Sequence, residues 1–331
     1  MPNRPRVVIT DFIADDLGPE REVLDGLADV VALNASSESE LPGRIDEADA
    51  VMLYHNVTLG EGTIKRLTRC KLIVRCGVGY DNVDRAFARR RGIPVANVPD
   101  YGTEEVADSA IALTLALTRG VHLYDARLKR SLAAWTHREA APLWRLRGRV
   151  FAVVALGRIG TAAALRAKAL GMDVAFFDPY VPDGTDKALG IRRVERLADL
   201  LEEAFVLSLH CPLTEETRHL IGAAALARMP RGSYLVNTSR GGVVDLTAVP
   251  AAIRSGQLSG AGIDVFPHEP PPEDHPLVAA WRDPADPCHD RVILTPHAAF
   301  YSEEGLRDMR VKAARNCRRA LLGEPPRNVV N

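Results

Sequence analysis

Residues 150–179 read VFAVVALGRIGTAAALRAKALGMDVAFFDP, and the fold can be worked outward from them. Residues 151–155 are a short apolar run of strand type, and Leu156, Gly157, Arg158, Ile159 and Gly160 make a tight turn. Residues 161–170 repeat Ala and Leu at helical spacing, Gly171 ends that helix, and residues 174–177 form a second apolar strand closed by Asp178 and Pro179. Strand, glycine turn, helix, strand and terminal acid make one βαβ unit. Backbone N–H groups at the start of such a helix are unpaired and carry the positive end of its dipole, so they can hold a pyrophosphate. Side chains must be absent where the phosphate comes close, which accounts for Gly157 and, for helix–strand packing, Gly160. An acid about 20 residues beyond the turn accepts hydrogen bonds from a ribose 2′-OH and repels a 2′-phosphate. Asp178 therefore favours NAD over NADP.

A glycine turn alone also occurs as a plain strand-to-helix turn in other α/β proteins. Here the flanking strand, the helix and the spaced acid favour the dinucleotide reading. The fingerprint Gly-x-Gly-x-x-Gly has Ala155 at its first position. That puts a methyl group where the turn is tightest, which could shift the loop and weaken cofactor binding.

A chain of 331 residues predicts two domains, each large enough for its own core. Lys plus Arg (42) nearly equals Asp plus Glu (43), so no global field draws the protein to nucleic acid or to an anionic membrane. The N-terminal MPNRPRVVITDF lacks the apolar stretch and cleavage site of a signal peptide. No run approaches the roughly 18 apolar residues of a membrane span. The five cysteines are odd in number, scattered and without a C-x-x-C pair, which predicts reduced thiols in a cytoplasmic protein.

Before residue 100, apolar runs at 6–10, 30–33, 50–53 and 72–75 alternate with helical patterns at 20–28 and 63–68. Strands alternating with helices imply parallel pairing through crossover helices. The fourth run enters RCGVGYDNVD (75–84), in which Gly77, Val78 and Gly79 can point their N–H groups together at an anion. Equally, residues 82–84 can simply cap a helix at 85–91, with the glycines shaping its entry. Both readings stand on spacing alone. Residues 92–99 give another strand and turn, and a long helix starts near Glu104, its apolar residues nearly encircling it as for a helix buried between two domains. Residues 123–144 are a basic, aromatic and apolar arm without a strand signal, of the kind that packs on something, such as a second subunit. Beyond the opening unit the alternation continues, with helices at 194–204, 223–228 and 247–255 and strands at 205–209, 234–237, 259–264 and 292–295. A final helix covers 302–322. This pattern is a doubly wound parallel sheet whose ligands sit at the carboxyl ends of its strands.

Just past those ends stand Arg240, Glu269 and His297. Singly, each has an ordinary explanation: a solvated charge, a loop residue, a helix cap. Together they suit the reduction of a 2-keto acid. That reaction needs a proton donor at the carbonyl oxygen as hydride reaches the carbon. Histidine does this near neutral pH, and a neighbouring carboxylate fixes its tautomer and stabilises the charged ring. A planar guanidinium can hold both the carboxylate and the carbonyl.

At this point a resemblance is plain. RCGVGYDNVD (75–84), EEVADS (104–109), ALGRIG (155–160), FFDPY (176–180), LHCPLTEETRHLI (209–221), LVNTSRGGVVD (235–245), GAGIDVFPHEP (260–270) and TPHAAFYSEE (295–304) together resemble the D-isomer-specific 2-hydroxyacid dehydrogenase family. They cover most of the chain in the family's order. Within it, DPYVPDGTDKALGI (178–191) and TPHAAFYSEE look most like the C-terminal-binding protein branch. The resemblance implies that His297 is the acid/base, Glu269 its partner and Arg240 the substrate clamp, with Gly77, Val78 and Gly79 holding the substrate carboxylate through backbone N–H groups. It also implies that Cys211, Pro212 and Thr217 line the adenosine side, and that Asp264 and His297 lie near the nicotinamide. Val106, His210, Thr238 and Ser239 complete the implied cofactor contacts, together with Ala155, the turn 156–160, Asp178 and Pro179.

The same resemblance implies a Rossmann NAD domain, 102–300, inserted into a smaller flavodoxin-like α/β substrate domain built from 1–101 and 301–331, with a hinge whose closure expels water. It further implies a small 2-keto or 2-hydroxy acid as substrate and a homodimer formed through the cofactor domain, the 123–144 arm being a plausible contact. Ala152 stands where relatives often have glycine. Phe300 stands where C-terminal-binding proteins have a tryptophan lining the substrate pocket, so the pocket is expected to be aromatic but roomier. Glu269 argues against the formate dehydrogenase branch, which lacks that carboxylate. The alternative expectation is an NAD-gated binding protein of the corepressor type with weak dehydrogenase activity.

Overall fold

The computed structural model describes residues 4–331. The chain divides into two compact units, the residues up to Gly102 joined by Tyr301–Asn331, and Thr103–Phe300.

The first unit carries β1 (Arg6–Ile9), α1 (Gly18–Leu24), β2 (Asp29–Ala32), β3 (Ala50–Leu53), α2 (Glu61–Ile64), β4 (Ile73–Arg75), α3 (Arg85–Arg90) and β5 (Val95–Asn97). Its sheet has the order β2-β1-β3-β4-β5, every neighbouring pair parallel. Val7, Val8, Ile9 and the whole of β3 are buried, as strands covered on both faces require. The C-terminal helix of the chain returns to this unit and packs against α1 and β3. Its Arg310, 4% exposed, donates from Nε and Nη2 to the two carboxylate oxygens of Glu20, 0% exposed, at 2.7 and 2.6 Å. The same guanidinium reaches Asp15 at 2.5 and 2.8 Å. The tail then closes on the sheet edge: Val330 donates its N–H to Val95 O at 2.8 Å, and Val95 donates to Asn331 Oδ1 at 2.8 Å.

In chain order the second unit carries α4 (Thr103–Arg119), α5 (Val121–Arg130), β6 (Val150–Val154), α6 (Arg158–Ala169), β7 (Asp173–Phe177), α7 (Thr185–Leu189), β8 (Arg192–Arg193), α8 (Leu197–Glu203) and β9 (Val206–Leu209). It continues with α9 (Ala223–Arg228), β10 (Ser233–Asn237), α10 (Val249–Arg254), β11 (Leu258–Ile263), α11 (Pro276–Arg282), α12 (Cys288–Arg291) and β12 (Val292–Leu294). The chain ends in α13 (Glu303–Leu321), the helix that bears Arg310. The second sheet runs β12-β11-β10-β9-β6-β7-β8, all parallel. Strand order reverses between β6 and β9, and in such sheets that switch point opens a crevice at the carboxyl ends. Alternate residues of β6 feed two cores. Ala152 and Val154 join Leu207, Leu235 and Ile263 on one side, while Phe151 and Val153 join Phe176, Val206 and residues of α4 and α6 on the other.

Glycines set how closely α4 lies on this sheet. A Cβ at Gly262 would come 3.0 Å from Leu113 Cβ, and one at Gly260 would come 3.0 Å from Leu117 Cδ2. The buried side of α4, which includes Val106, Ala107, Ala110, Leu113 and Leu117, packs on α6, β10 and β11.

Some elements differ from expectation. Helix α6 starts at Arg158, so Gly160 belongs to its first turn rather than to a loop before it. The 123–144 arm carries most of α5 and two short 3-10 turns, and no residue of α5 is buried. It is held by polar bonds instead. Arg127 donates to Asp290 at 2.5 Å and to Glu139 Oε2 at 2.9 Å, and Tyr124 Oη donates to His137 O at 2.8 Å. The short elements α7, β8, α11 and α12 have too few residues for periodicity to reveal. Helix α11 does have a local signature, Pro276 in its first turn and the His275 ring accepting from Leu277 N at 3.2 Å. All five cysteines are buried and unbridged. No helix among the described residues is long and apolar enough to cross a membrane.

Candidate active site

The turn after β6 is built by backbone bonds around Asp178. Ala155 donates to Phe177 O at 2.9 Å, and Leu156 donates to Asp178 Oδ2 at 2.8 Å. Tyr180 donates to Asp178 Oδ1 at 2.8 Å, which fixes Pro179 between them. Each carboxylate oxygen keeps a second lone pair, so the group can still accept ribose hydroxyls. Gly157 is the N-cap of α6 and offers no side chain to its first N–H groups. Arg158, Ile159 and Gly160 therefore open the helix with uncapped donors. Gly160 is indispensable to this geometry, since a Cβ there would lie 2.1 Å from Ala155 O.

Ala155 sits at φ 71, in the left-handed region. It adopts the backbone that a glycine would take, so the methyl group is accommodated as strain rather than by a displaced turn. Such a conformation costs an L-residue about 1–2 kcal/mol, part of which glycine gives back through its freer unfolded chain. Ala155→Gly is expected to raise stability by about 0.5–1 kcal/mol and to leave NADH affinity within about twofold. Urea unfolding and NADH titration check this, and a loss of stability would show that the turn is unstrained.

The loop after β9 forms the other wall. His210 donates its N–H to Val154 O at 3.0 Å, and its Nε2 lies 2.9 Å from Ser208 Oγ. Burial holds this imidazole neutral, pushing its pKa down to about 4. Its Nδ1 is buried without a protein partner. The Cβ of His210 is 3.4 Å from where a Gly160 Cβ would be, so this residue lies close to the start of α6. Cys211 is buried, and desolvation pushes its thiol up to about 11, far from reactivity at neutral pH. Thr217 ties the loop together, donating to Pro212 O at 2.6 Å and accepting from Thr214 N at 2.8 Å. Tyr180 Oη reaches across from the β7 side to Glu216 at 2.6 Å.

After β10, Asn237 organises the next turn. Its Nδ2 donates to Arg240 O at 3.0 Å, and its Oδ1 accepts from Ser239 N and Ser239 Oγ. Arg240 Nη1 donates to Ser239 O at 2.9 Å. Thr238 Oγ1 is buried without a protein partner. Gly241 presses this turn onto the next segment, because a Cβ there would meet the Phe266 carbonyl carbon at 2.0 Å. That segment bears Glu269.

Strands β11 and β12 are parallel neighbours, so the residues that follow them meet although far apart in sequence. Glu269 uses both oxygens: Oε1 accepts from Phe266 N at 2.8 Å, and Oε2 lies 2.6 Å from His297 Nδ1. Nδ1 thereby faces the carboxylate, an arrangement in which a proton could be exchanged at Nε2. His297 itself sits at φ 51. The Phe300 ring stands edge-on to it, with centroids 6.2 Å apart. Asp264, 2% exposed, accepts from Thr295 Oγ1 at 2.6 Å, from Ala298 N at 2.9 Å and from Ala299 N at 3.2 Å. Its carbonyl accepts His297 N at 2.8 Å. Its carboxylate thus holds the histidine loop, a destination that the sequence does not announce.

In the first unit, Gly77 has φ 143, and a Cβ there would lie 1.7 Å from Arg75 Nη1. The guanidinium of Arg75, 6% exposed, donates to Cys76 O at 2.9 Å. Sequence reasoning passed over Arg75; its signal is an arginine closing an apolar strand directly before Gly-x-Gly. Asn97 Nδ2 donates to Val78 O at 2.8 Å. Asp84 does cap α3, accepting from Phe87 N at 2.9 Å. Asn82 does not cap, but donates to Tyr54 O and Val57 O, both at 2.8 Å.

A dinucleotide fits the second unit. Its uncapped helix start, the cradle that a Gly160 side chain would fill, and the orphaned Nδ1 of His210 and Oγ1 of Thr238 are its marks. No group of three or more His, Cys, Asp or Glu that could hold a metal ion occurs among the described residues.

Comparison with known proteins agrees with this geometry. A family model described as D-isomer specific 2-hydroxyacid dehydrogenase, NAD binding domain, matches residues 111–299. C-terminal-binding protein 1 of Caenorhabditis elegans is 33% identical over 338 residues, which cover 99% of this chain and 45% of that protein. D-3-phosphoglycerate dehydrogenase of Methanocaldococcus jannaschii is 33% identical over 326 residues, 98% of this chain and 59% of that protein. The chain thus spans about half the length of the curated relatives it matches, 45% and 59%. The crystal structure of D-lactate dehydrogenase from Aquifex aeolicus, complexed with NAD and lactic acid, superposes with a TM-score of 0.85 at 28% identity, over 96% of each chain. The chain belongs to the D-isomer-specific 2-hydroxyacid dehydrogenase family, and residues 111–299 are its NAD-binding domain.

Proposed function

We propose that the protein is an NAD-dependent oxidoreductase interconverting a 2-keto acid and a D-2-hydroxy acid. The observation that carries this reading is the His297–Glu269 pair at 2.6 Å, with the second carboxylate oxygen pinned by Phe266 N. Bound NADH supplies a hydride to the carbonyl carbon. The proton for the carbonyl oxygen comes from Nε2 of the charged His297 ring, whose Nδ1 keeps its proton and donates it in a hydrogen bond to Glu269 throughout. In the reverse direction the neutral ring takes the hydroxyl proton. Arg240 holds the substrate carboxylate and polarises its carbonyl. Gly77, Val78 and Gly79 are assigned to the carboxylate through their N–H groups, and Phe300 to the substrate side chain.

For the cofactor, the N–H groups of residues 156–160 take the pyrophosphate and Asp178 takes the adenosine ribose. Cys211, Pro212 and Thr217 line the adenosine side. Val106, His210, Thr238, Ser239 and Asp264 complete the assignment. The acid at 178, with no basic residue beside it in Pro179 and Tyr180, supports NADH over NADPH.

The test is a panel of 2-keto acids with short, branched, thioether and aromatic side chains, mixed with NADH and followed at the nicotinamide absorbance. Turnover is expected with at least one of them. No turnover above the His297→Ala background would overturn the reading. NADH binding without turnover would instead favour an NAD-gated binding protein, the reading suggested by similarity to a C-terminal-binding protein.

The protein is further proposed to be a cytoplasmic homodimer. Its unbridged, buried thiols support the compartment. Leu132, Trp135 and Trp144 on the arm, 71%, 78% and 49% exposed, support a protein contact there. Sedimentation as a monomer at micromolar concentration would count against the dimer.

A further inference from the structure

We infer that Arg193 is a positioning residue for the adenosine end of the cofactor: its guanidinium holds the loop after β7 in the course that presents Asp178, and does not itself bind a phosphate. The inference rests on the reading of Asp178 as the acceptor for the adenosine ribose. Parallel pairing sets Arg193 of β8 directly opposite Phe176 of β7, two residues before Asp178, and Val194 N donates to Phe176 O at 2.8 Å. The guanidinium lies over the Phe176 ring, with Cζ 5.6 Å from its centroid, and the Arg193 side chain is 17% exposed. Its Nε is buried without a protein partner, so its hydrogen bonds leave from the two outer nitrogens, toward the loop. Nη2 donates to Val181 O at 2.5 Å and to Pro182 O at 3.3 Å, and Nη1 donates to Asp183 Oδ1 at 3.1 Å. Asp178 accepts from Leu156 N and Tyr180 N instead, both at 2.8 Å.

The chemistry calls for a guanidinium rather than a point charge. Two successive carbonyls and a carboxylate are met by one planar group whose donors form a fixed fork, which an ammonium does not offer. Asp183 is fully exposed, so that pair adds little, and the carbonyl bonds carry the hold. The loop itself is stiff: Pro179 and Pro182 fix their own φ, Thr185 Oγ1 donates to Pro182 O at 2.7 Å, and Val181 packs on the core that contains Phe176. Tyr180 Oη bonds Glu216 at 2.6 Å, but both of those residues are exposed, and Arg193 is the better shielded anchor. With the fork gone, only part of the population presents Asp178 and the Tyr180 turn in place, and the apparent affinity falls by that fraction. Hydride and proton transfer take place at the other end of the dinucleotide, so the chemical step keeps its rate once the cofactor is bound.

Arg193→Met keeps the side-chain stem on Phe176 and removes the fork. NADH and ADP are expected to bind about 5- to 20-fold more weakly, both by the same factor, with kcat at saturating NADH within about twofold of wild type. Hydrogen exchange at the Tyr180 amide, bonded to Asp178 in the wild type, should accelerate about fivefold or more while β7 and α6 keep their protection. Unchanged affinity for both ligands overturns the inference. So does a loss of NADPH binding about tenfold larger than that of NADH, which would place the guanidinium on a 2′-phosphate. Arg193→Lys is expected to fall nearer to Arg193→Met than to wild type; wild-type NADH affinity there, with Tyr180 exchange still accelerated, would mean that the charge acts on the cofactor directly and would sink the proposal. If Arg193→Met does not fold, Arg193→Gln decides: unchanged ADP affinity and unchanged exchange overturn it. Asp178→Ala separates the underlying reading, because unchanged ADP affinity in that variant removes the ribose assignment, while Tyr180 exchange in Arg193→Met still reports whether the fork holds the loop.

Discussion

His297→Asn is expected to lower kcat for keto-acid reduction about 10³-fold while NADH affinity stays within about threefold, because only the proton transfer is removed. Asparagine is the informative replacement. His297 sits at φ 51, and asparagine tolerates the left-handed region better than alanine, so the loop keeps its course while the proton donor is lost. Glu269→Gln is the companion. Gln can keep the bond from Phe266 N through its carbonyl oxygen, but it then offers an NH₂ to His297 Nδ1 in place of the carboxylate oxygen now 2.6 Å away. The ring is forced into the tautomer with Nδ1 as acceptor and loses the charge that stabilises its protonated form. A loss of about 100-fold is expected, and the double variant should cost little more than His297→Asn alone, since the two act as one unit. Single-turnover measurement of NADH oxidation with the best keto acid of the panel provides the readout. Additive losses would mean that Glu269 acts elsewhere than on His297.

The pair was legible as residue types but not as geometry. Arg240, Glu269 and His297 each follow an apolar run that reads as a strand, and parallel strands put the residues after them on one edge of the sheet. That argument needs only the alternation of patterns, which is also why the doubly wound order could be anticipated. It does not say which side chain each acid reaches. Asp178 and Asp264 both end strands, yet Asp178 bonds the turn after β6 while Asp264 turns to the histidine loop, and only register and loop course separate the two. Arg75 was passed over because an arginine ending a strand reads as solvated charge. Its 6% exposure comes from Gly77, whose missing side chain leaves room for the guanidinium. At 77–84 the helix cap is present in Asp84, and Gly77 in addition makes space for Arg75, a use of glycine that spacing does not reveal. Helix α5, most of which lies in the 123–144 arm, has no buried residue, and the charge pairs that hold it are not something periodicity can register.

Arg310→Met is expected to destabilise the first unit by about 3–5 kcal/mol, the usual cost of leaving one member of a buried ion pair behind. Glu20 is 0% exposed, and its two carboxylate oxygens accept from Arg310 at 2.7 and 2.6 Å, so removing the guanidinium leaves a buried carboxylate without its counter-charge. Asp15 contributes much less, being 51% exposed and able to recover water. The position makes the loss consequential, because Arg310 lies on α13 and its partners on α1 and the turn before it, so the bond joins the two ends of a chain-discontinuous unit. Arg310→Met with Glu20→Gln should recover a large part of the loss, since a buried pair replaced by neutral groups is far less costly than one broken. The acid limb gives an independent check. The hydrogen bond from Arg310 holds the Asp15 carboxyl below its usual value of 3.8. A carboxylate with a depressed folded pKa contributes stability that is present above the unfolded pKa and is lost as pH falls through the folded one. Wild-type stability should therefore fall off below about pH 4 in part through Asp15, and Arg310→Met should flatten that part of the profile. Urea unfolding followed by hydrogen exchange in α13, at neutral pH and at pH 3, separates the outcomes. A single variant within about 1 kcal/mol of wild type would mean that Glu20 finds a new partner or takes up a proton at small cost, and the Arg310 fork would then be a bystander to the closure of this unit.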